Sequence, residues 1–360
     1  MDLQRYLSEK QQTLDQYRQR IKDPRVFDFN YIPEKPLMRE ELKPVIDAIL
    51  RYRQTGIANH LLILGARGSG KSVLARSLMQ ILAGPDLLFE YVNCRQYNTS
   101  FKIIAYLLKV RPRGCGLDEL WQKYLQEHPH KTIFVLDEID LMSEKDRQKE
   151  ILYLISRSPN NYMAILLSNN PKFLHCLDES IRSSLQPEIT HFRGYLAPEV
   201  EEILQDRAQV GLVTSPPEIL REIAALTVKN TNSDVRVAIK TLYRWSLEPE
   251  IPVADTFEIA RRDILEDVIR DLNDKNLLIL KAAQSEDGYV KAVYQAYRRI
   301  SIQFGEEPFS YVHFYSNLSY LQSLGLILLV STKVHRSYTN RIQLTFDSEV
   351  LSTIFKTRFA

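Results

Sequence analysis

Eight consecutive residues, Gly65-Ala66-Arg67-Gly68-Ser69-Gly70-Lys71-Ser72, carry the most specific chemistry in the chain. They fit G-x-x-x-x-G-K-[ST] without a mismatch. Glycines there let the backbone curl so that successive N–H groups face one point, and the N-terminus of a following helix adds partial positive charge. Such a cradle suits phosphate oxygens. Lys71 is long enough to reach β- and γ-phosphates, the Ser72 hydroxyl suits Mg2+, and Val73 opens the helix that completes this nucleotide-binding set.

A second constellation is Ile133-Phe134-Val135-Leu136-Asp137-Glu138-Ile139-Asp140. An apolar run delivers two adjacent carboxylates at its C-terminal end, the end that faces the ligand crevice of a doubly wound sheet. Asp137 is expected to hold Mg2+, directly or through water. Glu138 is expected to orient and polarise an attacking water, and Asp140 to be structural. A third signal, Leu166-Leu167-Ser168-Asn169, ends another apolar run with an amide able to hydrogen-bond a γ-phosphate or its water. Asn is common at strand ends, so this signal draws its force from the other two.

These residues need a frame. Apolar runs at 61–64, 88–93, 132–136, 163–167 and 188–192 read as buried strands separated by helix-length segments. That alternation predicts a parallel sheet covered on both faces. Ahead of it, Leu3, Tyr6, Leu14, Tyr17 and Ile21 suggest an N-terminal helix. A turn-rich stretch through Pro24, Pro33 and Pro36 follows, and then a helix from about 39 to 53. After Tyr195 the strand signal stops. Residues 197–247 read as helices broken at Pro216-Pro217, and Pro249 and Pro252 mark a second junction. Helices near 263–283, 289–304 and 310–324 then precede β-like runs at 326–331 and 341–346 around a polar turn, a winged-helix pattern. The expected fold class is α/β, with the divisions 1–24 (helical arm), 25–195 (nucleotide-binding domain), 196–262 (helical lid) and 263–360 (winged-helix, DNA-binding domain).

In the winged helix, Ser310 is a good N-cap for the recognition helix. Phe314, Leu318, Leu321 and Leu324 repeat at three- and four-residue spacing and should face the core. Asn317 and Tyr320 fall on other faces, as do Tyr311 and His313, which occupy the first turn, where a groove-entering helix reads bases. That helix has no Lys or Arg, so phosphate contacts fall to Arg298 and Arg299 on the preceding helix and to Lys333, His335, Arg336 and Arg341 around the wing. A neutral recognition helix also leaves open a winged helix used for protein docking.

Bulk properties set bounds. With 360 residues there is room for two or three cores, and 44% hydrophobic with 26% charged residues is ordinary for a globular chain. A net charge of +2 excludes a surface that is basic all over, so any DNA contact is local. No apolar run approaches the roughly 20 residues of a membrane span, and the polar start lacks a signal-peptide core. Cys94, Cys115 and Cys176 have no metal-ligand spacing and read as reduced thiols. A cytoplasmic, nucleoid-associated protein is expected.

Phosphate loop, acidic strand and Asn strand, in this order, resemble an AAA+ ATPase. More closely, the chain is similar to the archaeal origin-recognition initiators, relatives of the eukaryotic origin recognition complex and its helicase-loading partner. The likeness rests on Tyr31-Ile32-Pro33-Glu34 with Arg39-Glu40, Tyr91-Val92-Asn93-Cys94-Arg95, Leu136 to Asp140, Ser168-Asn169, Leu177-Asp178 through Ser183-Ser184-Leu185, Asp234-Val235-Arg236-Val237-Ala238, and Leu321 to Leu326. The resemblance implies that Asn169 is the first sensor, that Arg236 is a lid arginine touching the γ-phosphate in cis, and that Tyr195 joins the nucleotide site. It also implies that Arg182 is a basic residue facing a neighbouring subunit's nucleotide, and that Arg111 and Arg113 touch DNA. Three departures mark a divergent relative: Ser180 stands where a basic residue is frequent, Phe192-Arg193-Gly194-Tyr195 replaces a proline-rich turn, and the DNA-touching insertion is short.

The resemblance therefore implies a slow, Mg2+-dependent ATPase switch using ATP and ADP. It would bind double-stranded origin DNA, other initiator paralogues and the replicative helicase, and no membrane. The runner-up is an ATP-binding winged-helix transcription regulator or plasmid partner protein, and a third reading is a signalling ATPase whose winged helix only packs on the lid.

Overall fold

The computed structural model describes residues 19–111, 114–143, 146, 149–285, 288–334 and 337–359, with the backbone alone at 285, 333, 334, 337 and 338. The chain forms two compact units. One is Asn30–Gly194, and the other is Tyr195 onwards together with the described residues before 30.

In the first unit the expected strands are present as β1 (Leu61–Gly65), β2 (Leu88–Asn93), β3 (Thr132–Asp137), β4 (Met163–Ser168) and β5 (Glu188–Phe192). All pair in parallel, in the order β2-β3-β4-β1-β5. Every residue of β3 and β4 is buried, which is why they read as unbroken apolar runs. The strand period of two sorts their side chains between two cores. Ile63, Val135 and Ile165 pack with α1 (Leu42–Thr55) and α2 (Lys71–Leu82). Leu64, Phe134 and Leu166 pack on the other face with α3 (Ser100–Leu107), α4 (Leu117–Glu127) and α5 (Glu150–Ser156). A short helix, α6 (Glu179–Leu185), precedes β5. Because all five strands run the same way, the phosphate loop, Asp137 and Asn169 leave the sheet at one edge.

In the second unit, α7 (Ala197–Gly211), α8 (Pro217–Asn230) and α9 (Val235–Leu247) form the helical lid. The segment before residue 30 is stitched to it. The Lys22 N–H donates to the Gly211 carbonyl at 2.8 Å, and the Val213 N–H donates to Arg20 O at 2.9 Å. The buried Arg207 guanidinium donates to the carbonyls of Val26 and Asp28. Glycine is required at 211, since a Cβ there would lie 2.3 Å from Val26 Cγ2. The expected helix over residues 2–22 lies outside the described residues up to 18.

The long helix expected at 263–283 is two. Helix α10 (Val253–Arg270) begins directly after Pro252, and α11 (Asp274–Ser285) starts afresh. The Asn273 side chain accepts from the Asn276 N–H at 2.8 Å, so an Asx cap interrupts a continuous apolar pattern. Helices α12 (Val290–Gln303) and α13 (Tyr311–Ser323) follow, then strands β6 (Ile327–Val334) and β7 (Ser337–Leu344). The two strands are longer than the sequence signal, because paired polar residues such as Ser331 and Asn340 extend the antiparallel ladder. A further helix, α14 (Ser348–Phe359), was not expected, although its buried Val350, Leu351, Ile354 and Phe355 recur at helical spacing. Its Leu351 packs with Leu277, Val293, Phe314, Leu318 and Leu321 in the core of the winged helix.

Candidate functional site

The phosphate loop joins β1 to α2. Gly68 and Gly70 have φ of 74° and 86°, a region that penalises any Cβ, so glycine is needed at both. Gly65 is needed for a different reason: a Cβ there would stand 2.7 Å from the Phe192 carbonyl oxygen. The Lys71 ammonium is enclosed by the loop it serves. Its Nζ donates to Gly65 O at 2.8 Å, to Ala66 O at 2.9 Å and to Asn169 Oδ1 at 2.9 Å. The tertiary structure thus joins the first residue of α2 to the residue just past β4, 98 positions apart.

Asp137 and Glu138 end β3 between these groups and β2. The Tyr91 hydroxyl donates to Asp137 Oδ2 at 2.6 Å, and Asn93 Nδ2 donates to Glu138 Oε2 at 3.1 Å. Burial is the main cause that raises the pKa of the Glu138 carboxyl; the Asn93 hydrogen bond opposes it, and the neighbouring Asp137 adds to it. Glu138 also has φ of 53°, a left-handed conformation that is uncommon for glutamate and, where it persists, clusters at functional sites. Asp140 takes the structural place expected of it. Its Oδ1 accepts from Ser168 Oγ at 2.7 Å and from the Asn169 N–H at 3.2 Å, which orients the Asn strand end.

A nucleotide with Mg2+ fits this set. The loop turns through two left-handed glycines, a cation stands at its mouth, and the hydroxyl of Ser72 and the carboxylate of Asp137 are hard oxygen donors suited to Mg2+. Ala66, Arg67 and Val73 are half-buried around the loop, and Ser69 is buried within it.

The remaining predicted residues are more dispersed. Arg182, on α6, is exposed. Arg236 and Tyr195 belong to the second unit. Arg236 sits in the first turn of α9, where Asp234 caps the helix through the Arg236 N–H at 3.0 Å and binds the guanidinium Nε at 2.8 Å. Tyr195 is buried.

Of the residues assigned to DNA, Arg111, Arg298, Arg299, Tyr311, His313 and Arg341 are exposed. Arg113, His335 and Arg336 lie outside the described residues, as does the side chain of Lys333. Ser310 caps α13 as expected, its hydroxyl accepting from the His313 N–H at 3.4 Å. Tyr320 differs from expectation in being half-buried against the core. The most exposed large apolar side chain of the recognition helix is Val312, at 79%.

Sequence reasoning gave no role to Tyr91, Asn93 or Arg39. For the first two a signal existed. They stand two apart on β2, so they share a face, and the register sets Asn93 beside Asp137. For Arg39 only Glu41, two residues on, was visible as a counter-charge; its other partners are the backbone carbonyls of residues 69 and 193.

The strand order, the phosphate loop beneath the sheet edge, the acidic strand end and the helical lid define an AAA+ nucleotide-binding fold, here followed by a winged helix. The family model for the NACHT domain matches residues 59–208. The chain is 26% identical to the ORC1-type DNA replication protein 3 of Sulfurisphaera tokodaii, over 85% of this chain and 86% of that protein. In structure it is similar to the Aeropyrum pernix ORC1 protein solved in complex with DNA, with TM-score 0.68 and 23% identity, covering 95% of this chain and 98% of that one. It is also similar to the Aeropyrum pernix ORC2 protein in its ADPNP–ADP complexes, with TM-score 0.60 and 22% identity over 94% of this chain and 99% of that one. The resemblance to the archaeal origin-recognition initiators extends over most of the chain. No described helix is long and apolar enough to cross a membrane.

Proposed function

We propose that the protein is an ATP-dependent, DNA-binding replication initiator that recognises an origin, helps recruit or load the replicative helicase, and hydrolyses ATP slowly as a switch. One observation carries the nucleotide half of this reading: Lys71, Asn169, Asp137 and Glu138 meet at one edge of the sheet. The ORC1-type relatives and the DNA-bound structural neighbour support the DNA half.

Bound ATP with Mg2+ supplies the phosphoanhydride bond. The residues of the chain do the rest. Loop amides and Lys71 take up negative charge on the phosphates, and Ser72 and Asp137 hold the metal. Glu138 accepts a proton as water is activated, and Asn169 positions that water. Arg236 adds positive charge from the lid in cis, and Arg182 is proposed to act across a subunit contact. Tyr311 and His313 read bases, while Arg111, Arg113, Arg298, Arg299, Lys333, His335, Arg336 and Arg341 meet phosphates.

The absence of Lys and Arg from α13 favours a docking use of the winged helix and does not separate an initiator from a DNA-binding regulator. Footprinting of the protein with ATP across the chromosomal origin and across promoters separates the two. Protection concentrated at the origin supports the initiator, and protection confined to promoters overturns it. For nucleotide, Lys71→Ala is expected to abolish ATP and ADP binding in equilibrium titration, and unchanged affinity would sink the site.

A further inference from the structure

Arg39 is a buried cation that the chemistry above does not use. Its side chain is 0% exposed. Taking a charge out of water costs several kcal/mol unless its donors are satisfied and a counter-charge is near. Here one guanidinium nitrogen, Nη1, donates to the Ser69 carbonyl at 3.0 Å. The other, Nη2, donates to Glu41 Oε1 at 3.0 Å and to the Arg193 carbonyl at 2.8 Å. The guanidinium carbon also lies 5.5 Å from the centre of the Phe192 ring. Phe192 is the partner of Gly65 in the β1–β5 register. One planar fork therefore ties the outer bend of the phosphate loop to the end of β5, and Glu41, just ahead of α1, holds the fork in place.

The contact at Ser69 has a directional consequence. In a trans peptide the C=O and the next N–H point opposite ways. Arg39 draws the Ser69 carbonyl outward, so the Gly70 N–H on the same peptide is aimed the other way, into the cradle. Ser69 lies between the two left-handed glycines, the residues with the most freedom to rotate that peptide. Inside the loop the Ser69 N–H donates to Ala66 O at 3.3 Å and Lys71 Nζ to the Gly65 and Ala66 carbonyls, whereas the Ser69 carbonyl is held from outside the loop by Arg39.

We propose that Arg39 is a positioning residue of the nucleotide site, pre-orienting the phosphate loop through the Ser69 carbonyl and locking it to the strand that leads out of the nucleotide-binding unit. This rests on the nucleotide reading of the loop and assigns the buried arginine to it. Arg39→Lys keeps the charge but cannot bridge two carbonyls and a carboxylate from one planar group. Glu41→Gln keeps the shape and frees the guanidinium from its counter-charge.

The test measures three things on the full chain: the ADP dissociation constant, the melting temperature without nucleotide, and deuterium uptake of peptides covering 65–72 without nucleotide. Arg39→Lys is expected to weaken ADP binding by roughly tenfold or more, the equivalent of one lost charged hydrogen bond. It should also speed exchange of the loop amides while sheet peptides stay protected. Glu41→Gln is expected to move both readings the same way by less, and it carries the test alone if Arg39→Lys does not fold. A lowered melting temperature with ADP affinity and loop exchange at wild-type values would show that Arg39 is a packing element only, and the proposal would fall. Wild-type protein that does not bind ADP, with loop exchange still raised in Arg39→Lys, would overturn the nucleotide reading and leave the anchoring role standing.

Discussion

Affinity for DNA should be separable from sequence preference, because the exposed cations of the winged helix stand off the recognition helix. Arg298 and Arg299 are exposed on α12 and Arg341 is exposed on β7. Each phosphate contact contributes about 0.9 to the slope of log K against log salt. At 0.1 M salt, one contact is therefore worth about 0.9 log units, or about 1.2 kcal/mol. If all three arginines touch phosphates, changing them together to Ala removes up to about 2.7 of slope and weakens binding up to roughly 500-fold at 0.1 M. The loss should be the same for origin and random duplex, since phosphates carry no sequence. Exposed substitutions typically stay within about 0.5 kcal/mol, although Arg341 also lies 5.9 Å from the centre of the Tyr289 ring, so melting curves must accompany the binding data. Fluorescence anisotropy with both duplexes across a series of salt concentrations reads slope and preference together, and melting curves confirm the fold. Changing Tyr311 or His313 should do the reverse, leaving the slope alone and narrowing the gap between duplexes. A triple variant whose salt slope equals that of wild type would refute phosphate contact by these arginines, and the docking use of the winged helix would take its place.

Further outcomes concern the nucleotide site and the sheet. Glu138→Gln should still bind ATP but hydrolyse it roughly 10²-fold more slowly or worse, as followed by phosphate release; turnover at the wild-type rate would remove Glu138 from its role. Arg182→Ala mixed with Lys71→Ala should recover part of the ATPase activity that each lacks alone, and no recovery at any protein concentration would mean a self-contained site. Burial pushes the pKa of His60 down to about 4, and its Nδ1 accepts from the Ala164 N–H at 3.1 Å. Its folded pKa is depressed below 6.5, so this stabilisation is whole above pH 6.5 and is lost as pH falls from there through about 4. The full shift corresponds to about 3 kcal/mol. The difference in chemical-denaturation stability between wild type and His60→Gln should therefore shrink by that order across the window, and a constant difference would show that His60 does not titrate in this way.

Much of this was legible in the chain itself. The phosphate loop was legible because its glycines, lysine and serine all fall within eight consecutive residues, so the motif can be recognised without knowing its neighbours. The strands were legible because a sheet covered on both faces demands continuous apolar runs, and β3 and β4 are such runs. The cap at Ser310 and the core stripe of α13 were legible for the same reason, since capping and helical periodicity are set by neighbours a few residues away. Other features depend on contacts the sequence does not encode locally. Asn273 interrupts a helix whose apolar pattern runs straight through it. Residues 20–28 are stitched to the lid by backbone hydrogen bonds to Gly211 and Val213, which leave no mark in side-chain type. Tyr91 and Asn93 meet the two carboxylates only because β2 pairs with β3 in one register. The carbonyl contacts of Arg39 were decided by tertiary structure alone. A backbone carbonyl looks the same at every position in a sequence, and only folding decides which carbonyls stand before a buried guanidinium.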